Sequence, residues 1–313
     1  MLQEEELLAV RAAELYYDEG KTQDEVGALL KLSRWKVGRL LADAREQGIV
    51  RIEIVHPRAR RLTVERELRE RFGLADAVVV PASDDPAELL GRVAQAAADH
   101  LGALRPVPRT LGVSWGRTLA AVAERLVTGW AHGVDVVQVN GGVTLNRRPG
   151  TAAPTATTIA GRADGEAVLL PSPAILERLE TKEAIESDRV VAEALARAAS
   201  ASVYLFTAGA AVKDSALVES GYLSPDDVAE LVRKGAVGDV LGRFVDADGN
   251  IVDPALDART VGLGLDRLRA AATAIFVVAG TAKHDIARTV VTSRLCTVLV
   301  TDDATARALL EDA

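Results

Sequence analysis

The 313-residue chain holds one cysteine, four histidines and no apolar run of membrane length, and each shortage removes a class of function. Cys296 lies in the apolar run CTVLV and has no second cysteine to join, so an intramolecular disulfide cannot form. A reactive thiol needs an exposed, electropositive setting, whereas this run predicts a buried one. His56, His100, His132 and His284 lack metal-ligand spacing, so no metal site is expected. Without a stretch of about 18 consecutive apolar residues, no membrane span is predicted. The start, MLQEEELLAV, is acidic where a secretory signal would be basic, and a cytoplasmic location is expected. The P-loop G-x-x-x-x-G-K-[ST] is absent, as is G-x-G-x-x-G after a first strand. No cofactor is expected.

What is present suits two folded domains: the length exceeds one average domain, and 49% hydrophobic residues supply core material. The net charge of −8 conceals an uneven layout. Between Lys31 and Arg61 stand nine basic residues and three acids, a local charge of +6, which leaves −14 on the rest. A basic segment on an acidic body is the electrostatic footprint of a small DNA-reading module.

Residues 1–56 predict a winged helix-turn-helix. Glu4 to Glu19 carries Leu8, Ala12 and Leu15 at helical spacing and stops at Gly20. Thr22-Gln23-Asp24-Glu25 is a capping box, followed by the apolar face Val26, Leu29 and Leu30. After a turn through Lys31 and Leu32, Ser33 caps a third helix to about Gln47, with Val37, Leu40, Leu41 and Ala44 on one stripe. Burying that stripe leaves Arg34, Trp35, Lys36, Arg39 and Arg45 on or beside the outer face, where a recognition helix meets base edges and phosphates. With Thr22, Gln23 and Ser33 at the helix starts, these are the expected DNA contacts. A plain helical bundle with a solvated basic face is the alternative. IVRIEIV, residues 49–55, alternates like a hairpin wing or edge strand. Residues 57–73 read as a linker helix, either solvated or in dimer contacts; paired modules would read two half-sites.

From Ala75 onward, β-branched runs at 77–80, 134–139, 167–170, 202–206, 274–279 and 296–300 alternate with helical stretches at 86–103, 117–130, 187–200, 224–234, 284–293 and 303–311. This pattern predicts a Rossmann-like α/β domain, residues 57–313, with a mainly parallel sheet covered on both faces. Ligands of such sheets bind where strands feed helix N-termini. Three glycine loops have that form: Ser114 to Thr118, including Gly116 and Arg117; Asn140-Gly141-Gly142, whose paired glycines permit close backbone approach; and Gly280 to Lys283. The loop GAVGD adds the carboxylate of Asp239, suited to sugar hydroxyls. Each loop alone also reads as ordinary strand-to-helix punctuation.

The stretches TQDEVGALLKLSRWKVGRLLADAREQGIVRIEI, LGVSWGRTLAAVA, VQVNGG, GAVGDVLGRFVDADG and VVAGTAKHDIARTVVTSRLCTVLVTDDATARALL, in this order, resemble the sorbitol-operon regulator (SorC, SorC/DeoR-type) family. The resemblance covers essentially the whole chain. It implies a helix-turn-helix joined to a sugar-binding domain related to sugar-phosphate isomerases, working as a homodimer or homotetramer on operators near sugar-catabolic genes. It also implies an effector pocket holding Gly116, Arg117, Thr118, Asn140, Asp239 and Lys283, the first and last loops on a phosphate and the acid on hydroxyls. Arg117 stands where many relatives have a smaller residue, Asn140 where some have a basic one, and Trp35 and Gly38 are unusual in the recognition helix. Asn140 brings no lysine for a Schiff base, so reversible binding is expected. The expected function is a DNA-binding regulator controlled by a sugar, polyol or sugar phosphate. A sugar-phosphate isomerase or related hydrolase would need a positioned base and acid, and no catalytic residues are assigned. A purely architectural DNA binder leaves the α/β domain unexplained.

Overall fold

The computed structural model describes residues 2–50, 60–142 and 152–311. The chain divides into two compact units, Met1–Val55 and His56–Ala313.

The first unit contains helices α1 (Leu2–Ala13), α2 (Gln23–Leu30) and α3 (Arg34–Glu46), with a π-turn at Glu14–Asp18 after α1. The capping box at Thr22 and Glu25 is formed, and it fixes the start of α2. Lys31 closes α2 in the left-handed conformation (φ 57°), and the Leu32 amide donates to the Gly27 carbonyl (2.8 Å). The chain is thereby turned within three residues, and Ser33 Oγ caps α3 by accepting from the Lys36 amide. Ala9, Ala12, Leu15, Val26, Val37, Leu40, Leu41 and Ala44 form the core of this unit. Each fully buried leucine or valine contributes about 1.5–3 kcal/mol. The wing expected at 49–55 falls largely outside the described residues, as do residues 57–59 of the expected linker.

In the second unit, α4 (Leu62–Phe72), β1 (Asp76–Val80), α5 (Pro86–Ala103), β2 (Thr110–Val113), α6 (Arg117–Arg125), β3 (Asp135–Gln138), α7 (Ala152–Gly161) and β4 (Ala167–Val168) come first. There follow α8 (Leu179–Ser187), α9 (Arg189–Ala199), β5 (Val203–Phe206), β6 (Ala208–Ala210), α10 (Ala216–Glu219), α11 (Pro225–Arg233), β7 (Gly238–Val240) and β8 (Arg243–Val245). The chain ends with α12 (Pro254–Arg259), α13 (Leu265–Arg269), β9 (Thr273–Val277), α14 (His284–Thr292), β10 (Val298–Asp302) and α15 (Asp303–Glu311). Seven strands form one sheet in the order β1-β10-β9-β5-β2-β3-β4, every pair parallel.

Side chains alternate between its faces, so each strand feeds two cores. Val79, Tyr204, Phe206, Phe276 and Leu299 pack with α4, α14 and α15. Val78, Leu111, Val113, Leu205 and Val300 pack with α5, α6 and α7. Burial on both faces is why these strands read as continuous apolar runs. Cys296 is buried against the first of these cores. On edge strand β1, the amide of Val79 donates to Glu65 Oε1 (2.9 Å) and its carbonyl accepts from the Arg61 amide (2.9 Å), which blocks further pairing there.

Several expected bounds are corrected. The helix predicted at 117–130 ends at Arg125, and Trp130 instead turns inward, donating to the Ile159 carbonyl (3.3 Å). The helix predicted at 187–200 is preceded by α8, and Asp188 caps α9 between them. A second, antiparallel sheet, β6-β7-β8, was not anticipated. It changes the setting of Asp239, which lies within β7 and not in a loop.

Candidate functional site

In chain order, β2, β3 and β4 step outward on one side of the sheet, while β5, β9 and β10 step outward on the other. The topological switch therefore falls between β2 and β5, and a crevice at their carboxyl ends is the ligand position that open α/β sheets favour. The residues that follow these strands and their neighbours β3 and β9 are the glycine loops.

The loop after β2 holds Ser114 and Thr118 buried, with Arg117 exposed at the start of α6. Gly116 (φ 132°) is the N-cap of α6, whose amide end carries the positive pole of the helix dipole. Thr207, directly after β5, borders this loop: a Cβ on Gly116 would come within 3.2 Å of its methyl group. Thr207 Oγ1 in turn donates to the Val277 carbonyl at the end of β9 (2.8 Å). The second loop is fastened to the first, because Trp115 Nε1 donates to the Gly141 carbonyl (2.9 Å). Tyr222, from the segment after α10, donates its hydroxyl to the Gly142 carbonyl (3.1 Å). Gly141 is required here, since a Cβ would sit 2.2 Å from the Pro173 carbonyl oxygen. At Gly142 the nearest atom would be 3.8 Å away. Asn140 is buried, and its Oδ1 has no hydrogen-bond partner among the described residues. A buried acceptor left in that state is costly, and a donor such as a hydroxyl would satisfy it.

Asp239 and Lys283, 44 positions apart in the sequence, lie within electrostatic reach of each other. Asp239 is buried; its Oδ2 accepts from the Gly242 amide (3.0 Å), and its Oδ1 lies where a Cβ on Gly209 would stand, 2.2 Å away. Only glycine at 209 leaves room for the carboxylate. Burial pushes the Asp239 carboxyl up to about 6, opposed by the Gly242 bond and the charge of Lys283. Burial, with repulsion from Arg117, pushes the Lys283 ammonium down, while Asp239 pulls it up. Lys283 is thus within electrostatic reach of both Asp239 and Arg117. The third loop is held by Asp302, buried at the end of β10. It accepts from the Gly280 amide (3.0 Å), the Thr305 amide (3.0 Å) and the Thr305 hydroxyl (2.7 Å). Thr207, Gly209, Tyr222 and Asp302 were missed by sequence reasoning, and Trp115 was read only as part of its loop; long-range hydrogen bonds and the fit of Gly209 to the Asp239 carboxylate reveal them.

A cavity of about 540 Å³ opens elsewhere, beside β1 and α5, lined in part by Arg60, Asp76, Gln95 and His100. None of its residues belongs to the glycine loops, so topology and charge, not concavity, locate the candidate site. Among the described residues no cluster of His, Cys, Asp and Glu could hold a metal ion, and no helix is long and apolar enough to cross a membrane.

In the first unit, α3 buries Val37, Leu40, Leu41 and Ala44 and turns Arg34, Trp35, Arg39 and Arg45 outward. Trp35 is 75% exposed, and the Arg39 guanidinium stacks over its ring at 5.7 Å from the centroid. Arg34 faces Asp24 at 3.5 Å, both side chains exposed. Lys36 is partly buried beside them. Thr22 and Ser33 are engaged as caps, and Gln23 lies over Gly38, where a Cβ would stand 3.4 Å from its Oε1.

The family profile described as "Putative sugar-binding domain" matches residues 56–311. The deoxyribonucleoside regulator of Bacillus subtilis (strain 168) is 32% identical over 313 residues, covering 100% of both chains. The full-length sorbitol operon regulator SorC from Klebsiella pneumoniae has a crystal structure that matches with a TM-score of 0.74 and 29% identity, covering 97% of this chain and 98% of that one. A DeoR family transcriptional regulator from Listeria monocytogenes matches with a TM-score of 0.72 and 25% identity, over 79% of this chain and 98% of that structure.

Proposed function

The chain belongs to the sorbitol-operon regulator (SorC) family of sugar-binding transcriptional regulators, and on that premise we propose how its two units divide the work. Residues 1–56 form a helix-turn-helix that binds operator DNA, and residues 57–313 bind the effector and assemble the homodimer or homotetramer, with 57–73 as the linker helix. The protein controls a carbohydrate-catabolic operon, and a bound sugar, polyol or sugar phosphate sets its affinity for DNA. It works in the cytoplasm as a binding protein and not as an enzyme.

The observation that carries this reading is that Lys283, in the loop after β9, lies within electrostatic reach of both Asp239 and Arg117, the latter opening the helix that follows β2 at the switch point. Two cations and the amide end of α6 suit an anionic group, and a carboxylate beside them suits hydroxyls. Ser114, Gly116, Thr118, Asn140, Gly141 and Gly142 complete the pocket, with Asn140 Oδ1 accepting from a further hydroxyl. Arg34, Trp35, Lys36, Arg39 and Arg45 address the DNA from α3, while Thr22, Gln23 and Ser33 set the ends of the two helices beside the phosphates. The ligand moves DNA affinity only by its preference for one of two arrangements of the assembly.

The test is a thermal-shift screen of free and phosphorylated sugars and polyols, with deoxyribonucleosides and sorbitol included because relatives are named for them. A hit whose shift disappears in Lys283→Ala, while DNA binding without ligand persists, supports the pocket. A normal response from that variant removes Lys283 from it. Arg34→Ala is expected to weaken operator binding by about 1–3 kcal/mol, read by titration of labelled duplex; unchanged binding takes Arg34 out of the interface.

A further inference from the structure

Trp35 lies outside the hydrophobic core of its unit. Its neighbours on α3 bury Val37, Leu40, Leu41 and Ala44 on the far side, and Trp35 is the most exposed large apolar side chain among the described residues, at 75%. Arg39, one turn on, lays its guanidinium over the indole at 5.7 Å, which favours one orientation of the ring on the helix surface. The surrounding charge calls for an anionic partner: five basic residues and two acidic ones lie between Lys31 and Gln47.

An indole on such a face has a narrow choice of contacts on duplex DNA. It offers one N–H donor, no acceptor and two apolar faces. Phosphates draw the neighbouring guanidinium and ammonium groups, which outcompete a single neutral donor there. Base edges in the major groove carry donors and acceptors with one apolar exception, the C5 methyl group of thymine. We propose that Trp35 is a specificity-determining residue that reads a thymine through this methyl group, held in place by Arg39. The inference rests on the reading of the first unit as a DNA-binding helix-turn-helix and names the base it selects.

The experiment enriches a random duplex library on the full-length protein and on Trp35→Ala. The wild-type chain is expected to enrich a motif with a fixed thymine in each half-site, and the variant to lose preference at that position alone. Replacing that thymine by uracil, which removes only the methyl group, is expected to weaken wild-type binding about fourfold and to leave the variant unaffected. The salt dependence of binding is expected to be the same for both proteins, because no phosphate contact is lost. Should Trp35→Ala bind too weakly to enrich anything, Trp35→Phe, which keeps an apolar face, is expected to retain the thymine, and the uracil comparison on the wild type still decides. Identical motifs from wild type and Trp35→Ala, or equal affinity for uracil and thymine, would overturn the role of Trp35 while DNA binding stands. A wild-type protein that enriches no sequence would overturn the DNA-binding reading and this inference together.

Discussion

Asp239 carries a charge whose cost the fold sets by burial. Its carboxyl titrates at about 6 in the folded chain against an ordinary value of 3.8. A raised carboxylate favours folding in its protonated form, so this contribution is present at acid pH and is lost as pH climbs from about 4 through about 6. The free protein is therefore expected to lose more melting temperature between about pH 4.5 and about pH 7 than Asp239→Asn does. Equal slopes for the two proteins would place the titration elsewhere. A ligand hydroxyl donating to the ionised carboxylate reverses the preference, so effector affinity is expected to rise over the same interval, measured by calorimetry. Gly38 is a simpler case. An alanine there meets only the mobile end of Gln23, and exchanging a mid-helix glycine for alanine gains about 1 kcal/mol. Amide exchange along α3 is expected to slow about fivefold in Gly38→Ala; faster exchange would mean that Gln23 cannot move aside.

Among the elements, the end of β10 has the widest reach. Asp302 fastens both the loop carrying Lys283 and the start of α15, so Asp302→Ala is expected to cost about 2–4 kcal/mol in denaturant unfolding and to weaken effector binding as well. Loss of stability with unchanged affinity would show that the loop holds its shape unaided. Six of the seven parallel strands were legible as apolar runs, because burial on both faces selects stretches such as AVVV and AIFVVA, while β2, TLGV, is too short and glycine-broken to form one. The small antiparallel sheet was not. Its strands are three residues long, and they carry glycine, alanine, Asp239 and Arg243 where a β-branched or alternating pattern would mark a strand. Arg243 is buried there because it donates to the Leu263 and Gly262 carbonyls (3.0 Å each) and pairs with Asp257, contacts set by the fold and not by neighbours in sequence. The glycine loops were legible as loops, since each pairs a strand end with glycine and three of the four pocket segments carry a charge. How they meet was not, because Trp115 and Tyr222 join segments 26 and 80 positions apart.

At the scale of the molecule, the second unit has its own cores on both faces of the sheet and the larger share of the chain. Residues 56–313 produced alone are expected to fold cooperatively and to keep the ligand-induced rise in melting temperature while losing DNA binding. A fragment that unfolds or ignores the ligand would show that the pocket needs the first unit. Cys296 opens a route to watching the two units together. Burial pushes its thiol up to about 12, so at neutral pH it is neither ionised nor accessible, and a thiol reagent is expected to find no target until the chain unfolds. The wild-type protein is in effect a blank background for spectroscopic tags. Spin labels on Ala42→Cys and Arg189→Cys, both exposed positions, would report the spacing between the units with no native cysteine to remove first, and the change in that spacing on adding effector would show how the pocket's occupancy reaches the DNA.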